Sequence, residues 1–182
     1  RITAEHIYLL RNSTGKPFTD LLDRLIRGSA ATLGIPPSAV LDNPRTNHPG
    51  GGVDTQVTVG AQLDPSGYFN GSTEWQDKSV PLNDVTDSKV REEISGDSKD
   101  YVRSLLKEGY AYRLCIADDG PAEKKTEIKA VLDSEIRNIN PVAPESIVLF
   151  ASEVVGWVNT FPALAADLFG STMTDFFHFA TW

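Results

Sequence analysis

Asp54, Glu74, Gln76 and Lys78 are the residues whose types and spacing could do chemistry. Asp54 closes the run Gly50-Gly51-Gly52-Val53-Asp54, and the other three alternate along the segment TEWQDKSV. Side chains on a strand point alternately to its two faces, so Glu74, Gln76 and Lys78 share one face while Trp75 and Asp77 take the other. An Asp carboxylate and a Gln side-chain carbonyl are oxygen donors of the kind a hard divalent cation accepts, with water completing the shell. A nearby Lys can stabilise charge developing on a phosphate, or help position and deprotonate an attacking water. The glycines ahead of Asp54 let the backbone approach closely. Together these groups would perform metal-dependent hydrolysis of a phosphoester. The competing reading is a hairpin with a polar outer face, its Trp75 packed into the core.

The elements that must position these residues are legible as patterns. Phe18, Leu21, Leu22, Leu25 and Ile26 recur at helical spacing, which predicts an amphipathic helix over 18–33 with Pro17 near its first turn. GIPPSAVLDNPRTNHPGGG reads as a Pro/Gly-rich connection. VDTQVTVGAQL and TEWQDKSV read as the two strands of a long hairpin joined by the turn-rich DPSGYFNGS. With its turn centred near Ser66–Gly71, the antiparallel partner of Lys78 falls close to Asp54, so Asp54, Gln76 and Lys78 are expected to converge. Residues 82–109 read as helical with a break at SGDS and Gly109 at the end. AYRLCIA and SIVLFAS read as buried strands around the helix that follows Pro121, and the last helical stretch breaks at Pro162. The order α, β, β, α, β, α, β, α predicts a mixed sheet flanked by helices.

Composition bounds the setting. A chain of 182 residues fits one domain and is long enough to bury a core, and 40% hydrophobic with 23% charged residues is ordinary for a globular protein. No apolar run is long enough to span a bilayer, and the N-terminus lacks a signal-peptide pattern. Cys115 is the single cysteine, which excludes a disulfide framework and fits a buried thiol in a reducing, cytoplasmic setting. The net charge of −8 argues against a surface that coats nucleic acid generally. Residues 1–50 nonetheless carry six Lys/Arg against four Asp/Glu. A polyanion would therefore be received near Arg11, Lys16, Arg24, Arg27 and Arg45, with Arg24 and Arg45 the contacts to test. His6, His48 and His178 lack ligand spacing, and no Lys-Ser/Thr follows the glycine run as a phosphate loop requires. A start without Met and an aromatic end, FFHFATW, read as a piece of a longer protein.

The pairing of GGVD with WQDK resembles the PD-(D/E)xK superfamily of restriction-endonuclease-like domains. The closer likeness is to its Mrr-type branch, in which a Gly-Gly-x-Asp element precedes a strand carrying Gln-x-Lys. The resemblance covers about residues 15–155, with a C-terminal helical extension beyond. It implies an α/β domain with a restriction-endonuclease-like mixed β-sheet flanked by helices on an α-β-β-β-α-β plan, although only two strands are readable before the second helix. It also implies a DNA endonuclease using Mg²⁺ or Mn²⁺. Asp54 would match the metal-binding Asp, Gln76 the second ligand and Lys78 the catalytic Lys. The family often has an acidic residue on the first helix. Thr19 stands at that spacing, so Asp20 or Asp23 would have to serve, with Glu74 as an alternative carboxylate. The closing VVGWVNTFPALAA is similar to segments that follow such domains in large bacterial defence proteins. The implied partners are DNA, further domains or subunits of an antiphage defence protein, and a second copy of the chain. Gln in place of Glu weakens the attraction for metal, which motivates a second expectation: a catalytically silent domain kept for DNA binding or assembly.

Overall fold

The computed structural model describes residues 1–11, 15–42, 53–60 and 64–170. A short helix α1 (Ala4–Tyr8) precedes α2 (Lys16–Thr32). Gly15 caps α2 in the left-handed region, φ 68°, and Pro17 sits in its first turn. Phe18, Leu21, Leu22, Leu25, Ile26 and Ala30 are all buried, one stripe that lays the helix on the sheet. This is the helix expected over 18–33.

Five strands form one sheet in the order of the chain: β1 (Val40–Asp42), β2 (Thr55–Val57), β3 (Thr73–Lys78), β4 (Ala111–Ile116) and β5 (Ile147–Leu149). β1, β2 and β3 are antiparallel neighbours, whereas β4 joins β3 and β5 joins β4 in parallel. Parallel neighbours need crossovers, and helices supply them. α3 (Asp87–Ser95) and α4 (Asp100–Lys107) lead from β3 to β4, and α5 (Ala122–Ile139) leads from β4 to β5. α6 (Ala151–Val158) and α7 (Pro162–Phe169) follow. The molecule is an α/β protein with a mixed sheet flanked by helices, as expected. Three strands precede α3 rather than two. The additional one, β1, lies in the stretch read as a Pro/Gly-rich connection, and it is a strand because Val40–Asp42 pairs with Val57–Thr55. Among the described residues no helix is long and apolar enough to cross a membrane.

Helices cover both faces of the sheet. One core gathers α1, α2 and α6 around Trp75, whose ring meets Phe69 and Trp157 at centroid distances of 5.5 Å. The other gathers Val90, Ile94, Leu106, Ile128 and Leu132 around Tyr112 and Leu114 of β4. β3 lies between two strands and under both layers, so the polar outer face of a hairpin is not what this strand presents. Glu74 is wholly buried and Gln76 is 8% exposed. Only Asp77 and Lys78, at the C-terminal end of β3, approach solvent. The expected buried strand 111–116 is buried throughout, and it holds Arg113 as well as Cys115. The Arg113 guanidinium is satisfied by backbone carbonyls, including that of Tyr68 at 3.0 Å. Gly109, φ 88°, terminates α4 as its position suggested, with the N–H of Tyr110 bonding the carbonyl of Leu105.

Candidate active site

Asp54 stands one residue before β2 and extends the ladder by donating its N–H to the Trp75 carbonyl at 2.8 Å. Its carboxylate is thereby delivered to the end of β3. There Oδ2 accepts from the Gln76 side-chain amide at 2.7 Å and from the Asp77 N–H at 2.8 Å. The expected convergence of Asp54 and Gln76 is therefore present.

A third group joins them. Asp77 faces α2, where the Thr19 hydroxyl donates to its Oδ2 at 2.9 Å. Burial first, and then the adjacent Asp54 carboxylate, hold Asp77 well above the usual carboxylate range, while Thr19 and Lys78 pull the other way. Asp54, Gln76 and Asp77 line a small cavity of about 10 Å³ with Thr19, Trp75 and Cys115. That is the lower limit for one water molecule. The Gln76 carbonyl oxygen and Asp77 Oδ1 are buried without a hydrogen-bond partner. Alternation along β3 separated Asp77 from the site on paper; Asp54, bending in at the strand end, removes that separation.

Lys78 goes elsewhere. Its amine pairs with Glu93 Oε1 on α3, and Lys99 at the start of α4 pairs with Glu93 Oε2 at 2.8 Å. Burial alone would raise Glu93, but Lys78 and Lys99 together hold it below the ordinary range. No hydrogen bond or ion pair joins Lys78 to Asp54. Val90 and Ile94 form the buried stripe of α3, and Glu93 lies three residues after the first and beside the second, which carries it over the sheet. No motif in the sequence marked Glu93. The triad borders an open cleft of about 390 Å³, lined also by Val80, Val85 and Leu114.

The remaining expected residues fall outside this constellation. Asp20 pairs with Lys16 on the surface of α2. Asp23 pairs with Arg27, which also binds Asp42 of β1. Burial, then Asp42, raise Asp23 to about 6, while Arg27 opposes them. Neither acid serves at the site; the helix reaches it through Thr19, the residue at the strict spacing. Glu74 shares the face of Gln76 but has no hydrogen-bond partner, and burial pushes it well above the carboxylate range. It lies inside the sheet, in register with Tyr112 of β4. Arg24 pairs with Asp167 of α7. Arg45, His48 and the three glycines lie outside the described residues.

Among the described residues no three His, Cys, Asp or Glu side chains are gathered to hold a metal ion by themselves. A cation here would rest on the carboxylates of Asp54 and Asp77, the amide oxygen of Gln76, and water. Hard oxygen donors of this type, two of them with unpartnered buried oxygens, fit Mg²⁺ or Mn²⁺. Gln76 now turns its amide nitrogen to Asp54, so it would rotate about its last bond to offer oxygen to the same ion. Comparison with known proteins adds nothing to the geometry: no family model, no curated protein and no solved structure matches the chain.

Proposed function

We propose that the chain is a metal-dependent DNA endonuclease domain of the Mrr-like, PD-(D/E)xK kind, the effector part of a bacterial antiphage defence protein acting in the cytoplasm. The observation that carries this reading is the meeting of Asp54 with Gln76 and Asp77 immediately before Lys78 at the open end of β3. Three antiparallel strands between α2 and α3, followed by a parallel β4, agree with the strand plan that the resemblance implies. Asp54 and Gln76 would hold Mg²⁺ or Mn²⁺, and Asp77 extends the donor set. A bound cation supplies Lewis-acid polarisation of a phosphoryl oxygen and a more acidic water. Lys78 neutralises charge gathering on the phosphate, and Thr19 holds the Asp77 carboxyl in place.

The test is cleavage of supercoiled plasmid and of single-stranded DNA with Mg²⁺ or Mn²⁺, wild type against Asp54→Ala. Metal-dependent nicking by the wild type, lost in the variant, is the expected result. An inert wild type would sink the endonuclease reading. The second reading, a silent domain that binds DNA or assembles, is favoured by one observation: Lys78 is engaged by Glu93 rather than turned to Asp54. It predicts DNA binding without cleavage in either metal.

A further inference from the structure

Lys99 belongs to no motif, yet it meets Lys78 across a single carboxylate. Glu93 gives one oxygen to each lysine. All three side chains are largely withdrawn from water, with 27% of Lys78 and 14% each of Glu93 and Lys99 exposed. The remaining charged groups of the cleft, Lys89, Asp84 and Glu92, are exposed and solvated at its rim. Two ammonium groups against one carboxylate leave the triad with an excess positive charge, in a chain whose net charge is −8. Withdrawing an incompletely balanced cation from water is costly. An anion from outside would repay that cost.

The geometry of the triad says which anion. One oxygen for each lysine, both oxygens on a single central atom, is the pattern that the two non-bridging oxygens of a phosphate group also present. The Tyr112 hydroxyl of β4 is also buried without a partner, and among neighbouring charges Glu93 acts on it most strongly. We propose that Lys78 and Lys99 form the seat of one backbone phosphate of a nucleic acid, and that Glu93 occupies this seat until the phosphate arrives. The nucleic-acid source rests on the endonuclease reading; the phosphate seat itself rests on the triad alone.

Titration calorimetry of the 182-residue chain in EDTA, with inorganic phosphate and with a short oligothymidylate, tests it without metal chemistry. Lys99→Met keeps the side-chain stem and leaves Glu93 paired with Lys78, so folding is preserved. Losing one charged hydrogen bond, it should weaken binding of both probes by about tenfold. Glu93→Gln removes the competing charge and should strengthen binding by roughly threefold or more. A folded Lys99→Met that binds both probes as the wild type does, or a Glu93→Gln that binds no tighter, overturns the proposal. Should the wild type bind phosphate but not the oligothymidylate, the seat would serve a free phosphate and the backbone source would be wrong. Plasmid cleavage separates the two readings. Lys99-dependent phosphate binding without cleavage in any metal keeps the seat and removes the nuclease. Cleavage that needs Asp54 while Lys99→Met leaves both binding and cleavage unchanged keeps the nuclease and removes the seat.

Discussion

Thr19 of α2 donates its hydroxyl to Asp77 of β3 across 58 residues of chain, at 2.9 Å. This bond ties the long N-terminal helix to the open end of the central strand. It also satisfies one oxygen of a carboxyl that burial and Asp54 already strain electrostatically.

Thr19→Val keeps the shape and removes the donor. The Asp77 oxygen is then left without its protein partner in a buried place, so unfolding free energy should fall by about 1–3 kcal/mol, while Thr19→Ser should retain most of it. Urea denaturation of the three proteins checks this. Equal midpoints for valine and threonine would mean that water replaces the hydroxyl without loss.

Asp77→Asn should separate stability from metal binding. The amide keeps an acceptor for Thr19 and ends the confrontation of two carboxyls, so the metal-free protein should melt at or above the wild-type temperature. Removing one charged oxygen donor should at the same time weaken Mg²⁺ by about 10–100-fold, the range seen when a supporting group around a metal is lost. Melting in EDTA and calorimetry with Mg²⁺ measure the two effects separately. If Mg²⁺ binds unchanged, Asp77 has no part in the donor set.

Much of this arrangement was legible in the chain, and the gaps have physical causes. The stripe Phe18–Ile26, the buried Trp75, the apolar run of β4 and the cap at Gly109 follow from periodicity and local conformational preference, which act within a few residues. β1 escaped because a three-residue strand among prolines exists only through its pairing with β2. Asp54 and Gln76 could be joined because hairpin register is nearly local. Glu93 could not be joined to Lys78 by motif or hairpin register, since a helix packing on the sheet sets their meeting. Asp77 took the face that alternation gave it, toward α2; what alternation could not show is that Asp54, bending in at the strand end, meets it there rather than Lys78.

Asp23, Asp42 and Arg27 predict a pH effect away from the site. Asp23 is raised to about 6, so between about pH 4 and 6 the folded protein holds a proton that the unfolded chain releases. Stability from this group is therefore present at low pH and lost as pH rises through 6. Asp42 is lowered instead, with burial opposing and the bonds to Asp23 and Arg27 prevailing, so its contribution is lost only below about pH 4, outside the window. Asp23→Asn should gain melting temperature over the wild type near pH 7, and the gain should vanish toward pH 4. A gain that stays constant across that range would place the proton elsewhere.

Gln76→Glu is the most direct question to put to the strand. Gln76 gives its amide to Asp54 and leaves its carbonyl oxygen buried and unpartnered. A glutamate in its place exchanges an attractive contact for a repulsive one, setting a third carboxylate beside Asp54 and Asp77. Without metal, the variant should melt below the wild type, since like charges in low dielectric cannot all ionise. With Mg²⁺ the sign reverses, because a charged oxygen attracts a hard cation more strongly than an amide oxygen does; affinity should rise by roughly tenfold. Mg²⁺ should therefore raise the melting temperature of the variant more than that of the wild type, by mass action on the folded state. Cleavage need not follow affinity, since a tighter ion can also hold product. Unchanged affinity in a folded Gln76→Glu protein would mean that residue 76 never faces a cation, and that its amide serves only to hold Asp54.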